Sequence, residues 1–156
     1  MLTYEHGSRD GVGSRLVVDI DSGSADGNFR MVFAIYRQTN DGGTARDGLK
    51  KWEFDDATPA IVELSATQVS HIIKVLRGES DSIFGDSGLV VKDKEKSSRV
   101  IFEKVDMPYL GYKLNIKTAW VNGETVKARI LLNPTEALAL RLAIESSMGM
   151  LAFGNS

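Results

Sequence analysis

The chain has 156 residues, 42 % hydrophobic and 26 % charged, with 19 basic and 21 acidic side chains. That balance fits a folded soluble protein of one domain, or two small repeats sharing a core, and excludes a uniformly cationic packaging protein. The absence of cysteine excludes disulfides, thiolate metal sites and cysteine nucleophiles.

From the N-terminus, "MLTYEHGSRDG" reads as a loose segment. It lacks the basic and apolar regions of a signal peptide, and no apolar run approaches the ~18 residues that span a bilayer. The expectation is therefore an intracellular protein, cytoplasmic or nucleoid-associated, without targeting signal or membrane partner. Runs rich in Val, Ile, Phe and Tyr, punctuated by glycine and polar clusters, predict strands at 15–21, 29–38, 50–54 and 60–64. Helical periodicity covers 66–77, where Val69, Ile72, Ile73 and Leu76 form one apolar stripe and Gly78 is a natural stop. Four more strands follow at 89–93, 99–105, 112–121 and 124–132, then a second helix from 134 to 148.

Strands and helix thus recur in the same order, and the two strand-to-helix junctions align. Leu64-Ser65-Ala66-Thr67-Gln68 lies over Leu132-Asn133-Pro134-Thr135-Glu136. Ser65 and Asn133 are good N-caps, with Gln68 and Glu136 at the third helical position, which completes two capping boxes. Pro134 takes the first helical position, where its missing N–H is not needed. The fold class expected is α+β: two β4α repeats, at 15–78 and 88–153, each an antiparallel four-stranded sheet followed by a helix. The second helix is apolar on nearly every side, so it should be buried on two faces. One face covers its own sheet. The other, with Met148, Met150, Leu151 and Phe153, is expected to meet another chain, making a homo-oligomer (dimer or tetramer) through 134–153.

The hairpin 112–132 can be tested for register. A two-residue Asn122-Gly123 loop mixes polar and apolar residues on both faces. A three-residue loop, Val121-Asn122-Gly123, instead pairs Leu114 with Ile130, Ile116 with Ala128 and Thr118 with Val126. One face becomes apolar, and the other carries Lys113, Asn115, Lys117, Lys127 and Arg129, with no carboxylate on that face until the hairpin tip. A merely solvated face should mix its signs, so this one is read as binding a polyanion. In the first repeat, Arg30, Tyr36 and Gln38 share a face, and "RDGLKKWEF" adds Arg46, Lys50, Lys51 and Trp52. Cations interleaved with aromatic rings suit single-stranded nucleic acid, whose phosphates they hold and whose bases they stack. Trp52 and Trp120 keep two readings, base stacking or core packing.

Enzymatic signals are weak. "GDSG" at 85–88 would need a positioned histidine and aspartate, and neither His6 nor His71 has that context. Asp19, Asp21, Asp55 and Asp56 read as strand-end and turn chemistry rather than as a Mg²⁺ site. No phosphate-binding glycine loop is present. No catalytic residue, metal or cofactor is expected.

"RILLNPTEALAL" resembles the strand-to-helix junction of the eukaryotic transcriptional positive cofactor four, a single-stranded DNA-binding β4α module. "LKKWEFDDATPAIVELSATQVSHII" resembles a segment of the Whirly proteins, single-chain doubles of that plan. The trypanosome mitochondrial guide-RNA-binding proteins share the architecture. The resemblance implies a Whirly-like pseudo-dimer that binds single-stranded DNA along its sheets with little sequence selection, and Lys50, Lys51 and Trp52 are carried over on that basis. The Whirly lysine-glycine-lysine turn between the first two strands is absent; Asp26-Gly27-Asn28 stand there, so Whirly-type large assembly is not carried over. The function expected is single-stranded DNA binding in replication, recombination or transcription. RNA binding or annealing on the same fold is the alternative, as is a protein-interaction module using the apolar C-terminal helix.

Overall fold

The computed structural model describes residues 2–8, 12–21, 28–39 and 52–153. They form two antiparallel sheets, each of four strands in sequential order and each followed by a helix. The first sheet contains β1 (Leu2–His6), β2 (Ser14–Asp21), β3 (Arg30–Arg37) and β4 (Ala60–Leu64), and leads into α1 (Ala66–Leu76). The second contains β5 (Leu89–Lys92), β6 (Lys96–Val105), β7 (Gly111–Trp120) and β8 (Thr125–Leu132), and leads into α2 (Pro134–Phe153).

Two expectations about the first repeat are corrected. Its first strand is Leu2–His6, in the segment read as loose, so the sheet reaches back beyond residue 15. Of the expected strand at 50–54, residues 50 and 51 lie outside the described residues, Trp52 and Glu53 lie outside any strand, and Phe54 makes an isolated bridge to Gln38. The signal for β1 is tertiary. Leu2 and Tyr4 pack against the common core, the Tyr4 hydroxyl donates to Glu136 O at 2.8 Å, and His6 Nε2 sits 2.6 Å from Glu136 Oε2. These partners lie about 130 residues away in the chain, beyond the reach of local pattern.

Both capping boxes form. Ser65 N donates to Gln68 Oε1 at 2.9 Å, and Gln68 N to Ser65 Oγ at 3.4 Å. Asn133 N donates to Glu136 Oε1 at 3.0 Å, and Glu136 N to Asn133 Oδ1 at 2.7 Å. Each box satisfies backbone donors that a helix start leaves open, so each helix begins where its strand ends. The helices fold back over the sheets and meet: Arg77 Nε donates to Glu145 Oε1 at 2.8 Å, two positions equivalent in the repeat.

The sheets share one core. Leu16, Phe33, Ile35 and Leu64 from the first join Phe102, Leu114, Ile116 and Leu132 from the second, with Ile72, Leu140 and Ile144 from the helices. Strand β4 is an edge of the first sheet and lays its backbone on the inner face of the second. Ile61 N donates to Thr118 Oγ1 at 2.8 Å, while Ile61 O accepts from Ser98 Oγ at 2.6 Å and Thr118 Oγ1 at 3.0 Å. Two buried hydroxyls thus close an edge that would otherwise leave backbone groups unsatisfied.

Periodicity marks the second helix to 148, and α2 runs on to Phe153, through the whole of the C-terminal segment 134–153. Ala137, Leu140, Ile144 and Leu151 are buried, and Met148 packs on the same core. Leu151 and Met148 therefore serve the chain's own core, against the expectation that they face another chain. Among the described residues, the large apolar side chains that α2 leaves exposed are Leu138, Leu142 and Met150.

Candidate nucleic-acid interface

The β7–β8 register is the one the three-residue loop requires. Leu114 pairs with Ile130, Ile116 with Ala128, Thr118 with Val126 and Lys117 with Lys127. Gly123 N donates to Trp120 O at 3.0 Å, and Gly123 has φ +95°, the left-handed conformation that glycine adopts without penalty. The outward face carries Lys113, Asn115, Lys117, Lys127 and Arg129, as expected.

Strand β6 extends that face. Arg99 pairs with Lys117, which pairs with Lys127, so three cations form one row across three strands. The next row is Ile101, Asn115 and Arg129, and the one after it Glu103, Lys113 and Leu131. Glu103 corrects the picture of a face without carboxylates: Lys113 Nζ lies 3.0 Å from its Oε1. Among the described residues, Arg99, Lys117, Lys127 and Arg129 form no ion pair, and all four are exposed. Arg99 was missing from the sequence reading. Its alternation within β6 is visible, but its place in the row depends on the β6–β7 register, and the five-residue connection Asp106–Leu110 does not fix that register as a glycine hairpin turn does.

Where β8 passes the ends of β2 and β3, this face runs into a cleft of about 760 Å³. Lys113, Lys127 and Arg129 line one side; Arg37, Gln38 and Asp55 line the other. Ser14 Oγ donates to Arg129 O at 2.7 Å and ties the two sheets at this point. Buried Gln38 holds the β1–β2 connection, accepting from Ser8 N at 2.8 Å and Gly13 N at 3.1 Å and donating to Ser8 O at 2.8 Å. Asp55 is the carboxylate in the cleft. Hydrogen bonds from the Thr58 hydroxyl and the Ala57 N–H, with the Arg37 charge nearby, hold its pKa below the ordinary value. It stays ionised.

The first-repeat residues are placed differently. Arg46, Lys50 and Lys51 lie outside the described residues, as do Asp26 and Gly27 of the expected turn. Arg30 is half-buried at the far end of β3, in a separate cleft with Glu63 and Lys96 that none of Arg99, Lys117, Lys127 and Arg129 lines. The Tyr36 ring is occupied: the Arg15 guanidinium lies 4.7 Å from its centroid and 5.2 Å from that of Phe54, and is paired with Asp56. Trp52 packs so closely on Gly7 that a Cβ there would come within 2.0 Å of the indole. Trp120 is half-buried, with the Lys96 ammonium 5.3 Å from its ring. All three rings make contacts within the fold, and the core-side reading of the two tryptophans gains accordingly.

Among the described residues no group of His, Asp or Glu has the arrangement of a metal site, and no helix is long and apolar enough to cross a membrane. No known sequence family matches the chain, and no curated protein matches it by sequence. The fold does match solved structures. WHY1 from Arabidopsis thaliana superposes with a TM-score of 0.65 at 12 % identity, over 98 % of this chain and 85 % of that one. The fold is Whirly-like. The plant transcriptional regulator PBF-2 gives 0.62 at 16 % identity, over 96 % and 80 %. A guide-RNA-binding protein solved in complex with a guide RNA gives 0.52 at 17 %, over 90 % and 92 %. In this Whirly-like chain the unpaired cations described above concentrate on the outer face of the second sheet.

Proposed function

We propose that the protein binds single-stranded nucleic acid, DNA in the first instance, without catalysing a reaction on it. The observation that carries this reading is the row Arg99–Lys117–Lys127 with Arg129 beside it, exposed and without carboxylate partners. Placing like charges opposite one another destabilises a sheet, so the arrangement makes physical sense when a polyanion completes it. A flexible single strand can follow a twisted sheet face and turn into the cleft at the β8 edge, which a stiff duplex cannot do. The role that fits is protection of exposed strands in replication, recombination or transcription inside the cell, with little sequence selection.

Fluorescence-anisotropy titration with single- and double-stranded oligonucleotides at two salt concentrations tests the reading. Tighter binding of the single strand, weakened by salt, is expected; equal affinity for both forms, or no salt dependence, refutes it. RNA is the second reading, favoured by the likeness to a protein solved on a guide RNA. Competition between matched DNA and RNA strands separates the two. We further propose that the exposed Leu138, Leu142 and Met150 of α2 seat a second copy of the chain. Sedimentation should show an oligomer that Leu138→Glu with Leu142→Glu dissociates.

A further inference from the structure

The rings expected to stack on bases, Tyr36 and Trp52, are engaged inside the fold, which leaves the basic face without an obvious aromatic partner. One stands beside it. The β6–β7 connection at 106–110 carries Met107, Tyr109 and Leu110, which are 82 %, 75 % and 52 % exposed. Connections of this kind ordinarily use small polar residues, and three large apolar side chains in five positions call for an explanation.

Their surroundings suggest one. The cationic cleft shares Lys113 and Arg129 with a second cleft of about 480 Å³, whose wall includes Met107 and Pro108. That cleft in turn shares His6 and Leu131 with a third, of about 280 Å³, lined by Tyr109 and Leu110. One trough therefore runs from the cations of β7 and β8 to the apolar side chains of the connection. Lys113 follows Tyr109 by four residues, at most about 14 Å of extended chain. A short stretch of unpaired nucleotides spans that distance. Among the described residues Tyr109 makes no hydrogen bond, ion pair or ring contact.

We propose that the 106–110 connection is the base-binding end of this trough, with Tyr109 stacking on an unpaired base of the strand whose phosphates lie on Lys113 and Arg129. The proposal rests on the nucleic-acid reading above and adds to it the residue that recognises a base. A trough cationic at one end and apolar and aromatic at the other matches the two chemical surfaces of a single strand. Duplex DNA has its bases already stacked and offers none to Tyr109, so the connection also supplies a preference for unpaired strands.

The test compares the wild-type chain with Tyr109→Ala and Tyr109→Phe, on a thymine oligonucleotide and on an abasic oligonucleotide of the same length. Tyr109→Ala should weaken binding of the thymine strand about tenfold, the effect of losing one stacked base. It should leave the salt slope and the abasic affinity unchanged, and Tyr109→Phe should bind within about twofold of wild type, since the ring is kept. Thermal melting controls for folding, and a residue this exposed should leave it unchanged. If Tyr109→Ala binds the thymine strand as wild type does, while Lys117→Ala and Lys127→Ala still weaken it, the proposal is wrong and the nucleic-acid reading stands. Equal weakening on the abasic strand also overturns it, because the ring would not be acting through a base. If the wild-type chain binds neither strand in a salt-dependent way, both readings fall together.

Discussion

Lys127→Glu is the most informative single change, because it should move stability and binding in opposite directions. Trp120 N donates to Glu124 O, which places even-numbered β8 residues in hydrogen-bonded pairs with β7. Lys117 and Lys127 are therefore a non-hydrogen-bonded pair, the closer kind, with Cα atoms about 4.5 Å apart. Replacing one lysine by glutamate turns repulsion into attraction. Cross-strand pairs of this type contribute roughly 0.2–1 kcal/mol, and about 2–4 °C in Tm accompanies each kcal/mol in a domain of this size. The variant should melt about 1–4 °C higher at low salt, with the gain shrinking as salt screens the pair. Binding should suffer twice, since a cation is lost and an anion added. At about 0.7 per phosphate for single strands, the slope of log K against log salt should flatten by about 1.4.

Thermal melts and anisotropy on the same preparations read both quantities. The reciprocal Lys117→Glu should behave alike, and the double variant restores a like-charge pair, so the stability gain should vanish while binding falls further. A Tm lowered by Lys127→Glu would contradict the pairing in the sheet. A raised Tm with unchanged binding would mean that this row faces solvent and nothing else.

Other features give narrower tests. Thr118→Val leaves Ile61 N without its side-chain acceptor on a buried edge, and chemical denaturation should report a loss of about 1–3 kcal/mol. Asp55→Asn removes the ionised carboxylate from the cationic cleft and should tighten single-strand binding on the order of threefold in an anisotropy titration at low salt. Hydrogen bonds from Arg77 and Arg141 lower the Glu145 pKa from its ordinary 4.5. A lowered native pKa means that this contribution is complete above the unfolded value and is lost as pH falls through the native one. Glu145→Gln should therefore flatten the acid-side decline of Tm below pH 4.5, and an unchanged decline would show that the bridge is not felt.

The second repeat was legible because its information is local. Alternation in β7 and β8 plus one glycine at the turn leave a single register with an apolar face, and the repeat's capping box lies within the four residues Asn133–Glu136. The first repeat hides more. β1 is short, and what holds it, Glu136 and the core beneath α2, is distant in sequence. The run "KKWEF" has the composition of a strand, yet among its described residues Trp52 packs on Gly7 and Phe54 alone makes a bridge, to Gln38 just past the end of β3. Whether an aromatic ring is free or covered is likewise invisible locally. Arg15, an unremarked residue of β2, occupies Tyr36, while Tyr109 sits in a connection that composition marks only as a turn.

The two sheets share a plan but not a charge pattern, and the difference bears on where a strand can lie. On the outer face of the first sheet the rows are Glu5–Arg15–Tyr36, Thr3–Val17–Ala34–Ile61, Asp19–Val32–Glu63 and Asp21–Arg30. Among the described residues, carboxylates stand in three of these four rows, against a single glutamate in the second-sheet rows through Arg99, Ile101 and Glu103. The net charge of −2 conceals this segregation. Inner faces of the repeats are constrained by the common core, since each must bury the same apolar layer; outer faces carry no such constraint and can diverge. The described carboxylates of the first outer face disfavour a polyanion, and the cations of the second favour one. For a strand bound as proposed, the carboxylates of the first sheet favour a path along the second sheet, the cleft at the β8 edge and the trough toward Tyr109.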